Sequence, residues 1–511
     1  METLSPGAVL TELKNRGITL YLKEEKLKVK AKKGAMTPEL QAAIKANKEA
    51  LIELIKTASS AKASGSQKAG IGRKPANVEP MLSDGQERLW TLAQLASDSD
   101  VYNLPFIYEI RGGLNIERLK ASVMAVASRQ QVLRSSYRDL SDGPQIVFHD
   151  AIPLAFEYGD YRSEVLTQDD IYDLIARDTV KPFDLSQPPL WRLHLYQLEA
   201  ERFILLGVFH HIIFDGWSAD VFWNDLRHAY ETPDKVQAQL PIEYVDYAYW
   251  HRTWLQSPAK AKELGYWQKV FADDVEAIKL PGQLGPSMGQ NNEGELVSFK
   301  IPAELVNQLR DLAKKENYSL FMALTLIFNM TLSRYTEQED LLICTPIAGR
   351  DQAETEGLVG FFNNIAVLRT QLEGDTPFRL QLKKMRDIIL GASQNQVLPF
   401  QDVADLPNLR RIPLTRAFFA LEEQTVTSKA FTLGDLTVET LPPRDYAADF
   451  DWSVFAKDLG DGLDGEIWFK RGIYDRAVVS DFASNLISVI ETIVKRPTVT
   501  LNELPLFEDP T

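Results

Sequence analysis

The spacing of apolar residues changes period several times along the chain, and each change predicts an element. Phe203-Ile204-Leu205-Leu206-Gly207-Val208-Phe209 is an unbroken apolar run and predicts a buried strand. His210-His211-Ile212-Ile213-Phe214-Asp215-Gly216-Trp217-Ser218 follows it directly. Beyond Gly216 the period becomes helical: Val221/Phe222, Leu226 and Tyr230 share a face, and Ser218 stands where a cap would. Ile116, Leu119, Val123 and Val126 predict an earlier helix, and Leu193 through Tyr196 another strand. After Tyr249-Trp250-His251 the mixed pattern starts again. It predicts strands near 297–301, 341–347, 365–371 and 466–470, a helix from Ser319 through Met330, and a last helix around Val478–Val494. Alternation of this kind predicts an α/β or α+β architecture, compatible with two similar lobes meeting near residue 255.

The first sixty residues follow a different pattern. Val9, Leu10 and Leu13 predict a short helix ending near Gly17. Two runs of period two follow, with Leu20, Leu22, Leu27 and Val29 on one face and Lys26, Lys28, Lys30 and Lys32 on the other. They predict a hairpin about Glu24-Glu25. Thr37-Pro38 starts a further helix that carries Leu40, Ile44, Leu51, Leu54 and Ile55. This segment holds eleven Lys or Arg against seven Glu, in a chain of net charge −15, so it reads as a module with a partner of its own. The lysine face is either a solvated, edge-guarding face or a docking edge for an acidic strand. Residues 58–78, rich in Ala, Ser, Gly and Lys, read as a flexible linker.

Composition narrows the function. The acidic balance of the whole chain argues against a nucleic-acid binder. Cys344 is the only cysteine and lies in an apolar run, so neither a disulfide framework nor a thiolate metal site is expected. The apolar stretches near 203–214 and 320–332 are too short to span a bilayer, and a cytoplasmic protein is expected.

The strand, the histidine pair and the helix would hold an imidazole at a cavity, where it could act as a base. Gly216 would permit the turn, and the helix start would disfavour an imidazolium beside it. On these residues alone the commoner reading of His210-His211 is a pair of core histidines satisfied by hydrogen bonds. A metal site is a third reading, weakened because adjacent histidines point apart. Gly285-Pro286-Ser287-Met288-Gly289 matches a nucleophile elbow, but the Pro and Asn around it predict a loop rather than the required strand-to-helix turn.

Two resemblances add to this. Leu13 through Ile18, the Lys-rich hairpin and Lys33 through Leu40 resemble the TubC-type N-terminal docking domain of nonribosomal peptide synthetases, over residues 1–57. That resemblance implies a small αββαα domain, often self-associating. Its second strand, with Lys26, Lys28, Val29 and Lys30, would bind the acidic C-terminal tail of an upstream synthetase subunit. His210-His211-x-x-x-Asp215-Gly216 resembles the signature of the condensation domains of the same synthetases. Ser83 through Trp90, Arg129 through Tyr137 (with Gln130-Gln131 for the usual His-Glu), Tyr244 through Trp250, Val359 through Asn364, Asn395 through Phe400 and Arg411 through Leu414 resemble further motifs of that family, in order.

The resemblance implies two chloramphenicol-acetyltransferase-like lobes in a V, residues 79–255 and 256–511. Its active site would comprise His211, His210, Asp215 and Gly216, supported by Arg350, Trp217 and Asn364, with Arg350 pairing Asp215. It implies amide formation between a donor thioester and an acceptor aminoacyl thioester, each carried on the phosphopantetheine arm of a carrier protein. No cofactor and no metal would be bound by the chain itself, and neither nucleic acid nor membrane would be a partner. A noncatalytic recruitment module and an epimerisation domain are the alternatives. Heterocyclisation domains are similar but replace these histidines with aspartates. The chain reads as a portion of a longer multienzyme.

Overall fold

The apolar run at 203–209 is buried from both sides, which is why it is unbroken rather than alternating. In the computed structural model, which describes residues 19–23, 26–30, 37, 70–95, 100–140, 143–235, 237–284, 293–422, 431–442, 448–458 and 462–507, it forms the strand Arg202–His210. Phe203, Leu205 and Phe209 pack into one core with Leu119, Val123 and Val126 of the helix Ile116–Arg129 and Phe222 and Leu226 of the helix Gly216–Glu231. Ile204, Leu206 and Val208 pack into another with Ile171 and Ile175 of the helix Gln168–Thr179.

Residue contacts divide the chain into Met1–Gly70 and Ile71–Thr511. In the first unit the described residues form the antiparallel hairpin Thr19–Lys23 and Lys26–Lys30. Its register pairs Leu20 with Val29 and Leu22 with Leu27, and pairs Tyr21 with Lys28 and Thr19 with Lys30. Opposed positions share a face of a hairpin, so the register agrees with the period-two reading. The helices expected around it lie outside the described residues.

The linker expected through residue 78 requires correction, because the chain is packed from residue 71. Ile71 is buried in the core of the second unit. The Arg73 guanidinium donates to the carbonyls of Leu240 and Pro241, and the Lys74 N–H donates to Asp246. One apolar side chain and two polar anchors suffice to fix a segment whose composition is otherwise that of a tether.

The second unit is built on two mixed six-stranded sheets. The first runs Phe431–Leu433, Leu436–Leu441, Asn103–Arg111, Arg202–His210, Trp191–Glu199, Phe156–Asp160. The second runs Asn364–Gln371, Asp340–Ile347, Ala417–Glu422, Trp452–Asp458, Gly462–Lys470, Gly294–Pro302. The fold is therefore mixed α/β with two halves, but the division at residue 255 is crossed twice. The strand Leu436–Leu441 pairs with Asn103–Arg111 of the first sheet, and Leu358, Val359, Phe361 and Phe362 lie in the first core.

The second sheet packs against the helices Leu320–Thr336 and Arg476–Lys495. By length and composition the latter could cross a membrane. Here its Val479, Phe482, Leu486 and Ile490 are buried in the second core. Cys344 is fully buried in the strand Asp340–Ile347, and burial pushes its thiol up to about 12, as expected of an inert core cysteine. Residues 285–292, Ser287 among them, lie outside the described residues.

Candidate functional site

The strand Arg202–His210 passes directly into a single 3-10 turn, His211–Ile213, and then into the helix Gly216–Glu231. Phe214, fully buried and stacked on Phe209 at 3.9 Å, anchors the turn from below. The helix cap is Asp215, whose carboxylate accepts from the Ser218 N–H at 2.7 Å, and not Ser218 as the spacing suggested. Ser218 lies one turn inside. Gly216 does not have the left-handed backbone that would require glycine, and a Cβ there would meet no heavy atom within 4 Å. Its expected role in the turn is therefore not supported by the geometry.

The two imidazoles take opposite tautomers. His211 Nδ1 lies 2.6 Å from the Phe214 carbonyl. A carbonyl only accepts, so Nδ1 carries the proton and Nε2 keeps its lone pair. His210 Nδ1 accepts from the Ile212 N–H at 3.1 Å, so its proton sits on Nε2. His210 is buried between Tyr102 and Phe183, and burial, with a smaller effect of His211, pushes it down to about 3. His211 is lowered by burial, partly offset by the Phe214 carbonyl and Asp215, with Arg88 adding to the lowering. Both rings are neutral near pH 7. His210 thus satisfies the core-histidine reading, and His211 presents a free lone pair.

Asp215 and Arg350 form a buried ion pair across the two halves, with side chains 0% and 1% exposed. Arg350 Nη2 donates to the two carboxylate oxygens at 3.0 and 3.2 Å and to the Ser218 hydroxyl at 3.1 Å. Arg350 Nη1 donates to the carbonyls of Thr355 and Leu358, both at 2.7 Å. The guanidinium lies 3.9 Å over the Phe362 ring. The Phe362 N–H donates to Asp215 at 3.1 Å, and the Gly360 N–H donates to the Ser218 hydroxyl at 3.0 Å. The pair therefore clamps the loop 355–362 onto the start of the helix behind His211. Trp217 is 45% exposed, and its indole N–H donates to the Glu356 carbonyl on the same loop.

Two glycines permit the close approach. Gly349 has a left-handed backbone, φ +63°, and a Cβ there would lie 2.1 Å from the Phe362 carbonyl oxygen. A Cβ on Gly360 would lie 2.0 Å from the Tyr244 ring. Tyr244 donates from its hydroxyl to the Phe361 carbonyl at 2.5 Å and lies 2.9 Å from the Ser83 hydroxyl. Gln86 donates to the Ile212 carbonyl and to the Tyr137 hydroxyl. Gln130 donates to Asp225 and the Gly357 carbonyl and accepts from the Val359 N–H. Stretches far apart in sequence thus converge as one hydrogen-bonded frame around the histidine turn. Ser83, Gln86 and Tyr244 were missed as individual residues, whereas Ser218 was expected only as a cap and Gln130 only as a departure from the family pattern. For Ser83, Gln86 and Tyr244 only their occurrence in the family-like stretches was a hint.

Beside this frame is a cleft lined by Arg88, His251, Phe361, Asn363 and Asn364 among others. Phe361 joins it to the imidazole, its ring edge-on to His211 at 4.7 Å. Asn364 is fixed rather than free. Its amide donates to the Gln396 and Leu398 carbonyls, and its oxygen accepts from the Phe400 and Ile365 N–H groups. It shapes the wall by holding the segment 396–400.

Two mixed sheets are thus joined by a buried clamp, with a neutral imidazole at the junction of the two lobes. The Condensation domain family matches residues 78–511, so the chain belongs to that family, and the TubC N-terminal docking domain matches residues 8–56. The chain is 33% identical over 449 residues to one of the subunits of the linear gramicidin synthase of Brevibacillus parabrevis, covering 85% of this chain and 9% of that protein. It is 30% identical over 443 residues to chondramide synthase cmdD of Chondromyces crocatus, covering 84% of this chain and 11% of that protein. The chain thus spans about a tenth of the length of these relatives. Among solved structures, the first condensation domain of the calcium-dependent antibiotic synthetase shares the fold with a TM-score of 0.71 at 17% identity, over 85% of this chain and all of that one. The X-domain from teicoplanin biosynthesis shares it with a TM-score of 0.75 at 21% identity, over 86% of this chain and all of that one.

Proposed function

We propose that this chain forms an amide bond between two carrier-bound substrates, with residues 1–57 docking the acidic C-terminal tail of an upstream synthetase subunit. The donor is an acyl, aminoacyl or peptidyl thioester on one phosphopantetheine arm, and the acceptor is an aminoacyl thioester on another. The observation that carries this reading is the His211 tautomer: Nδ1–H is committed to Phe214, and the Nε2 lone pair is left for a substrate proton.

The acceptor amine, with a reference pKa of about 7.7–8, is partly neutral near pH 7 and attacks the donor carbonyl carbon. His211 Nε2 accepts a hydrogen bond from the attacking N–H, which orients the amine, and takes the proton as the tetrahedral intermediate forms. The C–N bond forms in that attack, and collapse of the intermediate restores the C=O and breaks the C–S bond. The donor arm leaves as a thiol, protonated by the proton His211 took. Alignment of the two arms contributes as well as proton removal. His210, Asp215 and Arg350 hold the turn, Trp217 and Asn364 hold flanking segments, and Gly216 leaves open space beside the helix start.

The test is mass spectrometry of a loaded acceptor carrier after mixing with a panel of loaded donors. An amide product is expected, and His211→Ala should slow its formation about 10²-fold or more. Unchanged turnover in that variant would refute the base-or-orienter role. An inverted stereocentre without amide would mark an epimerisation domain, and no product from any donor would mark a recruitment module.

A further inference from the structure

The cleft beside Phe361 is lined by an imidazole that the proposed chemistry does not use. His251, on the helix Tyr244–Leu255, lines this cleft and is 7% exposed. Its ring is held by near-parallel rings, Tyr247 at 5.7 Å and Trp254 at 6.4 Å. His251 Nε2 lies 3.1 Å from the Val397 carbonyl, so Nε2 carries the proton and Nδ1 is an acceptor. Burial keeps the ring neutral, lowering its pKa against a smaller opposing effect of that carbonyl. Nδ1 has no hydrogen-bond partner among the described residues. Arg88, which lines the same cleft, has a buried Nε–H that is likewise without a partner among them. Buried polar groups are almost always paired, so an orphan acceptor and an orphan donor on two residues that line one cleft point to a ligand that supplies both complements.

A secondary amide has that chemistry: its N–H matches Nδ1 and its C=O matches Nε–H. The arm that carries the thioester substrates contains two such amides. We propose that His251 is a positioning residue for the arm, its Nδ1 accepting from an arm amide N–H while Arg88 donates to an arm amide carbonyl. This rests on the condensation reading only for the identity of the arm.

The test compares aminoacyl thioesters of pantetheine, which has two amides, with those of ethanethiol, which has none, as acceptors for the full chain. The wild type should prefer the pantetheine ester through KM. In His251→Phe that preference should fall about ten-fold, the loss of roughly one hydrogen bond, with kcat for the pantetheine ester little changed. His251→Asn, which places a carbonyl oxygen near the position of Nδ1, should restore part of the preference and serves also if the Phe variant misfolds. Equal losses for both esters, or an unchanged preference in both variants, would overturn the proposal. Calorimetric binding of pantetheine alone needs no turnover. Weaker binding to the variants would support the His251 assignment even if no amide product formed, and equal binding would refute it even if condensation proceeded.

Discussion

Replacing Asp215 with Asn keeps the size of the side chain and removes its charge. The carboxylate now accepts from the Ser218 N–H, the Phe362 N–H and Arg350 Nη2. The amide offers one acceptor oxygen in place of two and turns an N–H₂ toward a second donor. The larger cost comes from Arg350. Its guanidinium stays buried and cannot shed its charge, so burial already opposes it and Asp215 is its main compensation. Leaving one member of a buried pair costs about 3–5 kcal/mol. Equilibrium urea denaturation followed by tryptophan fluorescence should report that loss for Asp215→Asn, together with faster proteolysis of the loop 355–362. Arg350→Met alone should lose a similar amount, because it leaves the carboxylate unpaired. The double variant removes both charges and should be at least as stable as either single one. Single-variant losses below about 0.5 kcal/mol, or a double-variant loss equal to their sum, would refute the clamp as an electrostatic device.

Gly349→Ala should be destabilised by about 2–5 kcal/mol, combining a left-handed backbone with overpacking against Phe362, whereas Gly216→Ala, where the space is open, should stay within about 1 kcal/mol of wild type by the same denaturation assay. His211 is lowered from its ordinary value of 6.5, so its neutral form persists as pH falls through that value and is lost only below it. In single-turnover rates with loaded carriers, the inflection absent from His211→Ala should therefore lie below about 6.5; an inflection above it would contradict the burial that favours the neutral ring. Charge reversal at Lys28 and Lys30 should weaken binding of an acidic upstream tail about ten-fold by fluorescence anisotropy, more at low than at high salt, and unchanged affinity would remove the second strand from the docking surface.

Period separates apolar from polar positions, and what it could reveal followed from that. The strand Arg202–His210 was legible because both its faces are buried, and the hairpin because its register preserves a period of two. Period cannot separate a buried, paired polar side chain from a solvated one. Gln86, Gln130 and His251 therefore read as ordinary helix or loop positions, although each is buried and hydrogen-bonded. Pairing between distant segments is equally silent, which is why residues 431–441 gave no sign of joining the first sheet. The Asp215–Arg350 pair was anticipated only from the family resemblance, since no local pattern relates residues 135 positions apart.

The glycines explain how such a long-range contact becomes specific. Gly349 precedes Arg350 and Gly360 lies on the clamped loop, and a single methyl would collide with the Phe362 carbonyl at the first and with the Tyr244 ring at the second. The loop can approach Asp215 only if both are bare, and only then does Phe361 reach the edge of His211. Close backbone approach, buried charge and imidazole orientation are thus one structural condition. A perturbation of any one of them should appear first as altered geometry at His211 Nε2.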